Sequence, residues 1–246
     1  LLRELAERYA EVAADPVQDE RRALWRRHNS LTRTRPLIYM RGGTACWEEV
    51  PDITEQRCVD PLFQSVEKQL RYLLYWAGLG DDSIFEPWLA LPPVFTCTGW
   101  GVEGEMRYSE QLRGSYKIDY PLKNLDTDLD KLHIPSHAID ENATRDNLAR
   151  VRDALGDILP VVSDRGPCFR MWGGDLSNFL GILRGIEHFM LDMMDNPEGL
   201  HRLMRFLRDG ILAVHEQAEA AGDWSTLDHE NQAMPYAEEL PDPKPD

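Results

Sequence analysis

The chain alternates long amphipathic helix patterns with short apolar runs, and that alternation leaves few architectures open. In DPLFQSVEKQLRYLLYWAGLG, Asp60 can cap, Pro61 suits the first helical position, and Leu62, Val66, Leu70, Leu73 and Ala77 recur at helical spacing before Gly78 and Gly80 stop the helix. NPEGLHRLMRFLRDGILAVHEQAEAAG repeats the grammar, with Asn196 as cap, Pro197 opening, a stripe of Leu200, Leu203, Met204, Leu207, Ile211 and Val214, and Gly222 as stop. TRDNLARVRDALG predicts a shorter helix capped by Thr144 and ended by Gly156. Between them, PLIYM, SIFEPWLALPPVFTC, ILPVVSD and WSTLDHE read as four short strands. Short strands alternating with such helices imply right-handed β-α-β units and a parallel sheet covered by helices, hence an α/β barrel or a doubly wound sheet. No GxGxxG or GxxxxGK[ST] follows any of the runs, so the usual nucleotide-phosphate loops are missing and the barrel is favoured.

At 246 residues, 42% of them hydrophobic, the chain reads as a single domain, 1–246, with an N-terminal helical extension over 1–34. A net charge of −16 would repel a phosphate backbone, and the nine Lys and Arg of residues 1–41 are interleaved with six acidic residues, so no nucleic-acid partner is expected. No run of 18 apolar residues appears, and the opening LLRELAERYAEVAADP is charged where a secretory signal would be apolar; a cytoplasmic protein without a membrane segment is expected. The four cysteines, at positions 46, 58, 97 and 168, are scattered with no CxxC pair, which predicts reduced thiols and gives no zinc or redox signature. Cys46 and Cys97 follow strand-like runs, where they are either buried packing residues or part of a site.

In parallel α/β folds the site forms at the carboxyl ends of the strands. MRGGTACW stands in such a place: its glycines allow close backbone approach, and Arg41 offers a five-donor fork for a carboxylate or phosphate, or alternatively a salt bridge that holds the turn. SDRGPCFRMWGG puts Arg170 and Trp172 after the third strand, where an arginine could neutralise a substrate acid and an indole could stack on an aromatic group, unless the loop simply packs on itself. In TLDHENQ, imidazole and carboxylate cluster as Asp228, His229 and Glu230, a donor set that suits zinc, although a solvated polar loop would look the same. Neighbours on an extended chain point to opposite sides, so His229 and Glu230 face one metal together only if the strand has ended. His28, His133, His137, His188, His201 and His215 lack partner spacing and read as structural or solvated.

Several stretches in order resemble the uroporphyrinogen decarboxylase superfamily. RPLIYMRGG is similar to its first strand and arginine loop, LRYLLYWAGLGDDSIFEPWLAL to the next helix and strand, and LDKLHIPSHAIDENATRDNLARVRDALGDILPVVSDRGPCF to the run that ends in Gly-Pro after the third strand. GILRGIEHFMLDMMDNPEGLHRLMRFLRDGIL carries the Gly-x-Glu-x-Phe and Asn-Pro-Glu pattern of the following helices. The resemblance implies a TIM-type (β/α)8 barrel, of which four strands would form only the N-terminal part, with further metal ligands beyond Asp246. It also implies one of two activities: corrinoid-linked methyl transfer, in which a zinc ion held by His, Cys or acidic ligands acts as Lewis acid, or decarboxylation of uroporphyrinogen III in haem synthesis.

MRGGTACW keeps one arginine where the decarboxylases have two, and LGDDSIFEPWLAL lacks their Phe-Ser-Asp-Ile, with Asp82 ahead of the strand. The leading expectation is therefore a corrinoid (cobalamin)-dependent methyltransferase that passes a methyl group from a small methylated substrate to a corrinoid carrier protein. In that reading Arg41 and His229 are catalytic, Arg170, Trp172 and Cys97 bind substrate, and His229 and Glu230 contribute to a zinc site. Uroporphyrinogen decarboxylation is the alternative activity, and a non-catalytic barrel fragment the third. Replacing Arg41 by alanine is expected to lower the complete enzyme's activity while its melting temperature moves by only a few degrees, because a strand-end loop arginine contacts substrate more than core. A large loss of stability with unchanged catalysis would instead identify a salt-bridged turn.

Overall fold

A computed structural model describes residues 1–40, 47, 49–108, 116–225, 227 and 235–244, and side chains for all of these except Met171 and Trp172. The protein is mixed α/β, with helices predominating over a few short strands, and among the described residues there is no closed barrel. No helix among them is long and apolar enough to cross a membrane. The chain divides into two compact units, one of Leu1–Pro93, Glu141–Asp164 and Ser225–Asp246, the other of Val94–Asp140 and Arg165–Trp224.

The first unit contains α1 (Leu2–Ala13), α2 (Val17–Asn29), the one-turn α3 (Pro51–Thr54), α4 (Pro61–Ala77), β1 (Leu89–Leu91), α5 (Glu141–Leu155) and β4 (Val161–Ser163). Asp60 caps α4 as its sequence predicts, its carboxylate accepting from the N–H groups of Leu62 and Phe63 at 3.0 and 3.3 Å. β1 and β4, parts of the second and third expected strands, pair in parallel with Leu89 against Val161 and Leu91 against Ser163; residues 94–140 of the second unit and then α5 lie between them in the chain. Leu5 and Tyr9 of α1, Val66 and Leu70 of α4, Val151 and Leu155 of α5 and the strand residues Leu89, Leu91 and Val161 share one core. Helix α5 begins at Glu141, three residues before the expected cap, so Thr144 is a buried residue within its first turn.

The first expected strand, PLIYM, lies in no sheet among the described residues, its backbone bond to another segment being the Asp82 N–H donating to Ile38 O at 2.7 Å. Its N–H groups are taken by side chains instead: Ile38 N–H donates to Asp82 Oδ2 at 2.8 Å and Met40 N–H to Asp81 Oδ2 at 2.7 Å. Carboxylates that occupy these two donors take them from any sheet partner on that edge. Of the fourth expected strand, Trp224, Ser225 and Leu227 are described and lie in no sheet, while Thr226 and residues 228–230 fall outside the described residues. Ser225 Oγ donates to Asp164 Oδ1 at 2.8 Å, beyond the end of β4, and accepts from the Leu227 N–H at 3.2 Å.

The second unit holds an antiparallel hairpin, β2 (Glu105–Tyr108) against β3 (Tyr116–Asp119), then α6 (Leu176–Leu183), α7 (Ile186–Asp195) and α8 (Pro197–Ala221). Its core joins Trp100, Leu122, Leu125 and Leu132 to Phe179, Leu180 and Leu183 of α6 and to Leu203, Leu207 and Ile211 of α8, which is the stripe read from the sequence. Gly210 is required at one point of that stripe, because a Cβ there would come within 2.5 Å of the Trp100 ring. By contrast α7 leaves Ile186, Met190, Met193 and Met194 on one face in solvent, Met194 being 84% exposed.

Glu67 anchors the first unit electrostatically. Burial alone would raise its pKa, but N–H groups of Cys58 and Arg57, at 2.7 and 2.9 Å, and the Arg71 guanidinium at 2.8 Å outweigh it and hold the carboxyl down at about 2. A carboxylate with a depressed pKa contributes stability that is present above its ordinary value of 4.5 and lost as pH falls toward about 2. Glu67→Gln should therefore cost about 1–3 kcal/mol at neutral pH, the penalty for under-satisfied buried donors, and should flatten the acid limb of stability against pH in denaturant titrations. An unchanged acid limb would show that other carboxylates control it.

Candidate metal centre

The site begins with a backbone pairing in the second unit. Residues 94–98 and 136–140 run antiparallel: Asp140 N–H donates to Val94 O at 2.8 Å, Thr96 N–H to Ala138 O at 2.9 Å and Thr98 N–H to Ser136 O at 3.3 Å, with a bridge between Phe95 and Ile139. In that register Cys97 stands opposite His137 as a pair that exchanges no ladder hydrogen bonds, the arrangement in which facing side chains approach most closely. The third member is Cys168, from the segment after β4, whose N–H donates to His137 Nδ1 at 3.2 Å and whose Sγ lies 4.0 Å from Ser136 O. One ligand atom each from Cys97, His137 and Cys168 falls within 4.8 Å of the others, and this group could hold a metal ion.

The imidazole is fixed on every side. Its side chain is 2% exposed, and Nε2 meets Asp223 Oδ2 at 2.8 Å. A backbone N–H can only donate, so Nδ1 is the acceptor nitrogen, its lone pair taken up by the Cys168 N–H, and Nε2 carries the proton given to Asp223. The His137 N–H, which in such a pair points away from the ladder, donates to Gln217 Oε1 of α8 at 2.8 Å. Asp223 in turn accepts from Arg165 Nε at 2.6 Å.

Burial, followed by the adjacent Cys97 sulfur, pushes the Cys168 thiol up to about 12. Without a cation it is therefore a protonated thiol and a poor nucleophile at neutral pH. The donor set, two sulfurs and one imidazole nitrogen with a carboxylate behind the histidine, is compatible with zinc. The contact a metal at Nδ1 would displace is the long hydrogen bond from the Cys168 N–H.

Of the residues expected from sequence, the structure brings Cys97 into this group. Arg170 lies in the segment that supplies Cys168, its Nη1 2.9 Å from where a Cβ on Gly166 would stand, so Gly166 makes room for the guanidinium. Trp172 is in a one-turn 3-10 helix, Met171–Gly174, and its side chain falls outside the described residues. Arg41, His229 and Glu230 also lie outside the described residues. His137 and Cys168 carried no spacing signal, because the partners come from three separate segments; the cue available was the pair of extended stretches TCT and SHA, which pairing would set face to face.

Comparison with known protein families, with curated proteins and with solved structures returns no match. The chemistry of the group therefore rests on its own geometry. One equivalent of zinc should slow alkylation of Cys97 and Cys168 in a mass-resolved iodoacetamide time course and leave Cys58, partly exposed in the first unit, unchanged. Equal protection of all three, or of none, would count against the site.

Proposed function

We propose that the chain is a zinc-dependent methyltransferase of the uroporphyrinogen decarboxylase-like class, acting with a corrinoid carrier protein on a small methylated substrate. The observation that carries the reading is the convergence of Cys97, His137 and Cys168 on one point, a two-sulfur, one-nitrogen donor set of the kind a reactive zinc uses with one position open. When bound there, zinc supplies a Lewis acid for the group that gives or receives the methyl. Cys97 and Cys168, as thiolates with their protons released to solvent, and His137 would hold the ion, and the His137 Nε2 proton would stay on the hydrogen bond to Asp223.

Arg170, close in sequence to Cys168, is read as the side chain that receives an acidic group of the substrate, and Arg41 and Trp172 remain candidates on their sequence positions alone. His229 as acid or metal ligand and Glu230 as metal ligand remain candidates from the sequence alone. The parallel β1 and β4 with their helical crossover suit one segment of a (β/α)8 barrel, and reduced thiols suit the cytoplasm.

Wild-type protein and a His137→Ala variant, each offered zinc, are incubated with methylated corrinoid protein, whose visible spectrum reports loss of the methyl group. A zinc-dependent spectral change in the wild type that falls at least tenfold in the variant is expected. Turnover of uroporphyrinogen with no corrinoid change would assign the decarboxylase instead, and inactivity in both assays without zinc uptake would leave a binding scaffold.

A further inference from the structure

We propose that Asp223, held by Arg165, is a positioning residue that sets the metal affinity of the Cys97, His137 and Cys168 group; the proposal rests on reading that group as a metal centre. Asp223 follows the end of α8, where Gly222 takes a φ of +77° and turns the chain back so that the Asp223 N–H reaches Ala218 O at 2.8 Å. A carboxylate there lies against the negative end of a 25-residue helix, where the backbone field disfavours an anion, and it is 3% exposed, so burial disfavours it again. Nothing in the helix cap needs it, because the cap is made by the backbone.

What the placement achieves is visible in its two oxygens. Oδ1 receives Arg165, which compensates the charge, and Oδ2 receives the His137 Nε2 proton. The second bond selects the tautomer whose Nδ1 carries a lone pair in place of a proton; without that acceptor the proton can move to Nδ1, the nitrogen on the Cys168 side. Gln217, in the last turns of the same helix, fixes the backbone of His137, so one helix end sets both the position of the ring and its protonation pattern. Removing Arg165 would leave the buried Asp223 with His137 as its other close polar partner, so the arginine compensates the carboxylate and holds its position beside the imidazole.

The test is a competitive titration of zinc against a chromogenic chelator, together with cobalt(II) spectra, for the wild type and the Asp223→Ala, Asp223→Asn and Cys97→Ser variants. Asp223→Ala should weaken zinc binding by about 10- to 100-fold, and Asp223→Asn, which keeps an acceptor oxygen, by a smaller factor. Thiolate-to-cobalt charge-transfer absorption should persist in both, because the sulfurs still bind. Should Asp223→Ala fail to fold, the asparagine variant decides, weaker binding supporting the proposal and unchanged binding overturning it. Wild-type affinity in both Asp223 variants, with binding lost in Cys97→Ser, would overturn the role of Asp223 and leave the metal centre standing. A wild type that takes up neither zinc nor cobalt would overturn both.

Discussion

The pairing of residues 94–98 with 136–140 is the interaction on which the candidate site depends. A shift of one residue in that register would turn Cys97 away from His137, because side chains alternate faces along an extended chain. Three backbone hydrogen bonds and the mutual contacts of Thr98 and Ser136, whose hydroxyls lie 3.1 Å apart, fix the register. The consequence is chemical: two residues distant in sequence become neighbours, and Cys168 needs to reach only their shared face.

Helix α8 secures the same site from the side. Its apolar stripe is held in the core of the second unit by fully buried Leu203 and Leu207, and truncating either would cost about 2–5 kcal/mol. Its last turns then present polar groups in order: His215 Nε2 to Phe169 O at 2.6 Å, Gln217 to His137, and Asp223 to the imidazole. Stability and function are thereby joined in one element, since the packing that fixes the helix also fixes the carboxylate. The aromatic contacts of Phe169 with Trp100 and Phe179, at centroid separations of 5.8 and 5.0 Å, hold the residue next to Cys168.

How much of this was legible follows from whether the determinants are local. The long helices at Pro61–Ala77 and Pro197–Ala221 were readable because cap, opening proline, apolar spacing and terminal glycine all lie within the segment. The strand count was not, because PLIYM has the composition of a strand and loses its partner to Asp81 and Asp82, which the sequence places some forty residues away. The exposed β2 and β3 hairpin was missed as well, its residues lacking the apolar character of a buried strand. Cys97 was picked out by its place after an apolar run, whereas His137 acquires a role only through pairing and Cys168 only through the segment that folds back to both. The imidazole and carboxylate of TLDHENQ pointed to His229 and Glu230 as zinc ligands, and these lie outside the described residues; the group that the geometry brings together, Cys97, His137 and Cys168, had no local signal as a set.

The most direct test of the account is zinc K-edge X-ray absorption on the zinc-loaded protein. Two sulfur neighbours at about 2.3 Å and at least one imidazole nitrogen at about 2.0 Å, with the sulfur contribution reduced in Cys168→Ser, are the predicted result. A shell of nitrogen and oxygen alone, or a sulfur contribution indifferent to Cys97 and Cys168, would contradict it.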